Sequence, residues 1–312
     1  MVEALNLFGV DILSTIASHL SQRDIISWSA SSKKFKGVYP KDIVHKFPED
    51  ASDEDYLDFI DYVAKRNIET LKVHVNPHQW NRLAHKFGRK WFKKVTIVPN
   101  HPRMYNYIYD KETSWIPECD ELVLGFASTS DRMHVSWKGE KLQLWAGQTS
   151  FPMIPYIDPE IDVGYVICHG RFDGYYRLWN LPKVCISMTT ITQDMLAHLS
   201  KCPDYVGIES CVIEAQEPLT FDAKNIGVSL DALPFIQDAP NCTEIYIGTN
   251  GPLSDASKYL QREFHKGMFA KVQKVCVNGY IYITDFNRLS AFIREIFPSQ
   301  VIFHFNVRLV NL

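Results

Sequence analysis

The cysteines and histidines are the residues most able to do chemistry in this chain, and their spacing matches no catalytic or metal site. The eleven histidines lack metal-ligand spacing, and the seven cysteines include no C-x-x-C pair. No G-x-x-x-x-G-K-S/T, G-x-S-x-G or H-E-x-x-H sequence occurs. We therefore predict no catalytic residue, no metal and no cofactor, and a protein that is not an enzyme.

Two groupings come closer to chemistry, and neither is sufficient for it. Cys168 and His169 are adjacent, but neighbours on a strand point to opposite faces, so they do not form a nucleophile–base pair. Residues 85–94 are basic with interleaved aromatic residues, a composition also found on RNA-binding surfaces. Because these aromatic residues follow the apolar face of a predicted helix, the segment fits an acidic protein patch equally well. We expect no nucleic-acid partner.

The composition is that of a globular protein of 312 residues, with 46% hydrophobic residues and a net charge of −3. Such a charge balance gives no general reason to expect binding to nucleic acid. No apolar run approaches the ~18 residues of a membrane span, and no secretory signal is visible. Scattered cysteines, odd in number, fit reduced thiols in the cytoplasm or the nucleus.

The elements that must position any site follow a repeated apolar–x–apolar strand pattern, whose copies are about 19 to about 29 residues apart. The copies are Leu71-Lys-Val73, Val95-Thr-Ile97, Leu122-Val-Leu124, Leu142-Gln-Leu144, Ile161-Asp-Val163 (or one at Val166), Val184-Cys-Ile186, Val206-Gly-Ile208, Ile226-Gly-Val228, Ile245-Tyr-Ile247, Val275-Cys-Val277, and Ile302-Phe-His304 or a near register. Helical spacing is predicted within residues 49–66, 80–91, 194–199 and 286–296.

A period of this length, with one short strand in each unit, resembles degenerate leucine-rich repeats of the fungal type. Each unit of such an array buries its strand against its neighbours. The resemblance implies an α/β fold in which residues 68–312 form a leucine-rich-repeat-like solenoid, a horseshoe with one short parallel strand per repeat. The alternative is an ordinary α/β domain whose strand spacing is a coincidence.

The N-terminal segment reads as three short helices with too few residues for a core of their own. Ile12, Ile16 and Leu20 share one helical face, and Ser21 with Asp24 resembles a capping box that opens a second helix. So much exposed apolar side chain indicates a partner that covers it.

These residues resemble the F-box motif in order and spacing. Asp24-Ile25 matches the D-L step of that family, and Ser32-Lys-Lys-Phe35 matches its V-S-K-x-W/F ending. Phe8-Gly-Val-Asp11 stands where the family has L-P-x-D/E, so the proline is missing. The resemblance divides the chain into an F-box at 1–45, a helical linker at 46–67 and the substrate-binding repeat domain at 68–312.

The F-box resemblance implies a substrate receptor of an SCF (cullin-RING) ubiquitin ligase. The small SCF adaptor, of the S-phase kinase-associated type, would link the chain to a cullin. The repeat domain would hold a target protein, such as citrate synthase, another metabolic enzyme or a cell-cycle regulator, for ubiquitination and proteasomal degradation. The adaptor-binding residues implied by the motif are Leu7, Phe8, Ile12, Ile16, Leu20, Ile25, Trp28 and Phe35.

Other functions stay open. The N-terminal helices could pack on the chain's own body, or the protein could be a non-degradative F-box scaffold subunit of a multiprotein complex, or an enzyme of unfamiliar type. Substrate contacts are expected at aromatic residues on the concave face and in long loops, because exposed aromatic residues often anchor interfaces. The candidate substrate-binding residues are Trp145, Arg171, Phe172, Tyr175, Tyr176, Arg177, Trp179 and Tyr246.

Overall fold

The computed structural model describes residues 41–100, 118–126, 134–135, 137–146, 156–157, 162–170, 181–250 and 268–310. All eight candidate adaptor-binding residues, from Leu7 to Phe35, lie outside the described residues. So do the candidate substrate-binding residues Arg171, Phe172, Tyr175, Tyr176, Arg177 and Trp179. The other two, Trp145 and Tyr246, are described.

The fold is α/β, with a parallel sheet of 12 strands whose order in the sheet is their order along the chain. The strands are β1 (Asp42–Lys46), β2 (Thr70–Val75), β3 (Trp91–Pro99), β4 (Glu118–Phe126), β5 (Lys138–Ala146), β6 (Asp162–His169), β7 (Lys183–Ser187), β8 (Tyr205–Glu209), β9 (Asn225–Ser229), β10 (Glu244–Asn250), β11 (Lys274–Tyr282) and β12 (Ile302–Val310). Every strand therefore pairs with the strand of the next unit, as in a stack of repeats.

Shorter parallel pairs accompany the long sheet. Residues 134–135 pair with 156–157, Thr190–Thr192 with Val212–Glu214, and Leu219–Thr220 with Ile236–Asp238. Each pair joins segments of consecutive units, so neighbouring units contact each other at a second level beside the long sheet.

The register aligns the apolar residues of neighbouring strands into two rows, which are fully buried from β2 to β5. One row runs through Leu71, Val95, Leu122 and Leu142, and the other through Val73, Ile97, Leu124 and Leu144. All eight of these side chains are 0% exposed. Alternation with a period of two places both rows on the same face of the sheet, which forms the core.

The described helices are α1 (Asp53–Ala64), α2 (Pro77–Leu83), α3 (Gln193–Leu199) and α4 (Ile283–Ile296), with 3₁₀ turns at Ala84–Phe87 and Leu233–Phe235. Ser52 starts α1 with a capping box, in which its hydroxyl and the Asp55 carboxylate each accept a backbone N–H. The buried residues Tyr56, Phe59, Ile60 and Val63 of α1 join the core that the strand rows begin. None of the described helices has the length and apolar character needed to cross a membrane.

The sheet begins at Asp42, earlier than residue 68, where the strand pattern placed the start of the repeat domain. β1 pairs with β2 over five residues, from Asp42↔Thr70 to Lys46↔His74, and α1 is the crossover between them. The helix expected in residues 49–66 is therefore part of the first α/β unit.

The one boundary that was wrong is the end of the helix predicted to reach Trp91. That helix ends in the 3₁₀ turn at Phe87, because Gly88 follows with φ of 65°, and Trp91 begins β3. Phe92 is buried and Trp91 is 53% exposed, so the aromatic residues of this basic segment do not form one helical face. At β6 the aligned pattern is the alternative at Val166, and at β12 it is Phe303-His-Phe305.

Candidate functional site

The face of the sheet opposite the core carries the residue between the two apolar positions of each strand. We call it the open face. The register joins these residues into one row: Lys72, Thr96, Val123, Gln143, Ile167, Cys185, Gly207, Gly227, Tyr246, Cys276 and His304. A parallel row lies two residues further along each strand and includes His74, Trp145, His169, Ser187 and Glu209. Any partner of the sheet meets these two rows.

The densest polar grouping on the open face surrounds His169. Its Nε2 atom lies 2.9 Å from Nε2 of Gln143, and its Nδ1 atom lies 2.5 Å from Oγ of Ser187. The indole of Trp145 stacks on the imidazole, with ring centroids 3.8 Å apart and an interplanar angle of 24°. These four side chains come from β5, β6 and β7, and Trp145 remains 42% exposed. The imidazole is thus held in place by both nitrogens while the indole faces outward.

The chemistry of this grouping favours binding over nucleophilic attack. Burial lowers the pKa of His169, so the ring is neutral at neutral pH. With the Gln143 amide nitrogen donating to Nε2, Nδ1 carries the proton and donates to Ser187. The serine then accepts a hydrogen bond and is not deprotonated by the imidazole, and its side chain is buried. The arrangement orients a flat aromatic surface.

A second grouping fills the middle of the open face. The rings of Tyr165 and Tyr205 meet edge to face, with centroids 5.7 Å apart. Hydrogen bonding couples the Tyr205 hydroxyl to that of Tyr165, and the Tyr165 hydroxyl to the Cys185 sulfur. Burial raises the pKa of both phenols and raises the pKa of the Cys185 thiol to about 12, so all three stay protonated. This grouping is a packed cover with no activated nucleophile.

Tyr246 lies on the open face within contacts of its own sheet. Its hydroxyl donates to Glu244 at 2.6 Å, and that carboxylate is also 3.3 Å from the ammonium of Lys274. The hydrogen bond to Glu244 is the main reason that the pKa of Tyr246 rises to about 12. Five strand spacings separate Tyr246 from Trp145, which is about 24 Å, so the two described candidates share a face without sharing a site.

The residues that surround Trp145 were not identified from sequence. Gln143 lies 26 positions before His169 in the chain, and Ser187 lies 18 positions after it. The available signal was the strand register, since aligning the apolar pairs places these three polar residues on adjacent strands. As predicted, Cys168 and His169 point to opposite faces, Cys168 into the core.

The described cysteines are all unpaired and buried, and burial raises the pKa of several thiols, to about 12 for Cys119 and Cys242. Within the described ranges, no group of three or more histidine, cysteine, aspartate or glutamate residues is arranged to hold a metal ion. No family model, curated protein or solved structure matches the chain.

Proposed function

We propose that this chain is the substrate-recognition subunit of an SCF ubiquitin ligase, acting in the cytoplasm or the nucleus. The F-box-like segment before β1 would bind the SCF adaptor and, through it, a cullin. The body would be a leucine-rich-repeat-like solenoid that holds a target protein on its open face. The chain itself would perform no chemistry, because its contribution is to bring a lysine of the target near a conjugating enzyme.

The observation that carries the binding role is the exposed indole of Trp145 on an otherwise ordered open face. Its ring is stacked on His169, which is itself fixed by Gln143 and Ser187. An aromatic side chain that is exposed but already immobilised loses little conformational entropy on binding, so it suits an interface anchor. The F-box resemblance supplies the adaptor and is supported by sequence alone.

The adaptor half of the proposal is tested by co-purification of the full chain with the SCF adaptor and cullin. Combined Ile16→Asp and Leu20→Asp should abolish the association, because each change puts a charge on the predicted apolar face. Val212→Asp is the matched control, since Val212 is 63% exposed on the repeat body. Association that survives the double substitution would contradict an F-box role. Association with adaptor but never with cullin would favour the non-degradative scaffold.

The target half is tested at Trp145. Proximity labelling in cells with a blocked proteasome should give a set of proteins that also accumulate when the gene is deleted. Trp145→Ala should remove these proteins from the labelled set while adaptor binding persists, because Trp145 lies outside the F-box-like segment. Trp91→Ala is the control, because Trp91 is also exposed, at 53%, and is hydrogen-bonded to Asp120 at 3.2 Å. Equal losses for both variants would sink the role of Trp145.

A further inference from the structure

One strip of the open face runs across the strands from His74 on β2 to Trp145 on β5, and we call this strip the groove. Its floor is formed by Val98 and Gly125, which lie between His74 and Trp145 in one row across the strands. A methyl group placed on Gly125 would meet its nearest neighbours, the γ-carbons of Val98, at 3.5 Å. That distance is ordinary van der Waals contact, so a methyl would fit there without overlap, and the glycine itself adds no side chain to the floor.

One wall of the groove is apolar. Trp145 is the register partner of Gly125 and stands beside the floor, supported from behind by the imidazole of His169. Val98 and the indole together offer an apolar surface large enough for one leucine or phenylalanine side chain. Burying such a side chain typically contributes about 1.5–3 kcal/mol.

The other wall is basic. Lys46 and His74 are register partners on β1 and β2, and Lys72 precedes His74 on the same face; we call these three residues the basic cluster. The register places the three groups side by side. Burial lowers the pKa of His74, and the charges of Lys72 and Lys46 lower it further. Across the ranges that the structure describes, no member of the basic cluster forms an ion pair.

Three other lysines on this sheet lie within 4.0 Å of a carboxylate. Lys94 lies 3.5 Å and Lys141 4.0 Å from the Glu121 carboxylate, and Lys274 lies 3.3 Å from Glu244. The whole chain carries a net charge of −3, so a local positive patch is not a consequence of a basic composition. The basic cluster is therefore a local feature that would attract a negatively charged group.

The distance between the two walls defines a spacing. Three strand spacings separate His74 from Trp145, which is about 14 Å. An extended chain advances about 3.3–3.6 Å per residue, so about four residues bridge the walls. A segment lying across the strands would thus place one side chain against Trp145 and another against the basic cluster.

We infer that the groove binds an extended segment of a partner protein carrying an acidic side chain about four residues from an apolar one. The inference deepens the proposed function, since it names the motif that the target would present. Carboxylates are the favoured anion, because lysine acts as a point charge and the basic cluster contains no arginine fork to match a phosphate in two places.

Direct binding of synthetic peptides to the purified full-length chain tests the inference. The probes are fluorescent glycine–serine peptides that carry one phenylalanine and one pair of aspartates, with the spacing varied and both orders included. Affinity should peak when the two groups are about four residues apart, and it should fall with added salt, because the basic wall acts through charge. An affinity that does not depend on spacing would overturn the inference.

Two variants locate the binding. Lys46→Ala with Lys72→Ala should weaken the best peptide about tenfold, whereas Lys224→Ala with Lys274→Ala, which removes lysines already paired with Asp204 and Glu244, should not. Gly125→Val should abolish binding by filling the floor. Unchanged binding in both groove variants would refute the site.

Two further probes separate the alternative ligands. A phosphoserine peptide that binds when the aspartate peptide does not would overturn the choice of carboxylate, and tight binding of a single-stranded RNA oligonucleotide would overturn the choice of protein. Adaptor co-purification is measured separately with the Ile16 and Leu20 substitutions. If the chain binds the peptide at the groove but does not bind the adaptor, the proposed function is wrong and the groove inference still holds.

Discussion

Glycines occur in both halves of the open face, and they have opposite consequences. On β4, Gly125 leaves a space whose nearest atoms belong to Val98, 3.5 Å from an added methyl. On β8 and β9, a methyl on Gly207 would lie 2.6 Å from the Cys185 sulfur, and one on Gly227 would lie 2.5 Å from the Tyr205 hydroxyl. A methyl would therefore fit at Gly125 without overlap. At Gly207 and Gly227 it would overlap side chains that occupy the space beside the glycines.

The difference comes from the neighbours, since all three glycines occupy strand positions on the same face. Tyr205 lies over Gly207 and Gly227 and is held there by its ring contact and hydrogen bond with Tyr165. No described tyrosine covers Gly125 in this way. The described side chains of the middle repeats therefore cover the glycines of their own open face, whereas Gly125 meets only Val98 and the backbone beside it.

Removing the Tyr205 ring that covers Gly207 and Gly227 should have the largest effect on stability. Tyr205→Ala deletes the ring that fills the space above two glycines, and we expect it to lower the free energy of unfolding by about 2–3 kcal/mol. Urea unfolding followed by circular dichroism measures the loss. Tyr205→Phe keeps the ring and should cost about 1 kcal/mol from the lost hydrogen bond. If Tyr205→Ala left the free energy of unfolding unchanged, Tyr205 would not be stabilising the open face of the middle repeats.

Adding a methyl at the glycines tests the comparison directly. Gly207→Ala should destabilise the fold by about 1–3 kcal/mol, because the methyl would overlap the Cys185 sulfur and approach the Tyr205 hydroxyl. Gly125→Ala should change stability by no more than about 0.5 kcal/mol. The same urea titration compares the two. Equal costs at both positions would show that the two halves do not differ.

A smaller effect is expected from pH at the boundary between the two halves, where His169 lies. Because burial lowers the pKa of His169 below its ordinary value of 6.5, the unfolded chain takes up this proton before the folded chain does. Stability should therefore be full above pH 6.5 and decline as the pH falls through 6.5 toward the lower folded-state pKa.

Unfolding midpoints between neutral and mildly acidic pH measure this slope. His169→Phe keeps an aromatic ring against Trp145 and should reduce the slope. It should not abolish the slope, because burial also lowers the pKa of His45 and His74. A slope that is identical in the variant would mean that His169 does not titrate between the folded and unfolded states as described.

The strands were predictable from sequence because each buried row demands an apolar residue at every second position. β1 was missed for a physical reason: His45 stands where most of the other strands have an aliphatic residue. Its ring stacks on Phe59 at 4.5 Å and meets Phe47 edge to face at 4.4 Å, and burial lowers its pKa. A histidine kept neutral in this way serves as a small aromatic core residue.

The site was predictable only in part. Trp145 was expected on the concave face because it follows the apolar pair Leu142 and Leu144 at the next outward position. The hydrogen bonds that hold His169 against it were not expected, since nothing in the local sequence distinguishes His169 from the other histidines. The helix predicted through Trp91 failed because the aromatic spacing suited both a helix and a strand start, and Gly88 decided between them.

The alternation of apolar residues by itself determined which face of each strand is buried, because a one-residue shift would expose the whole core row to water. Only the tertiary structure decided which outward residues meet. Contacts such as Gln143 with His169, or Tyr205 with Gly227, join residues on different repeats. Such contacts depend on the strand register and on the space that small residues on the neighbouring strand leave for a side chain. No local stretch of sequence specifies either of these.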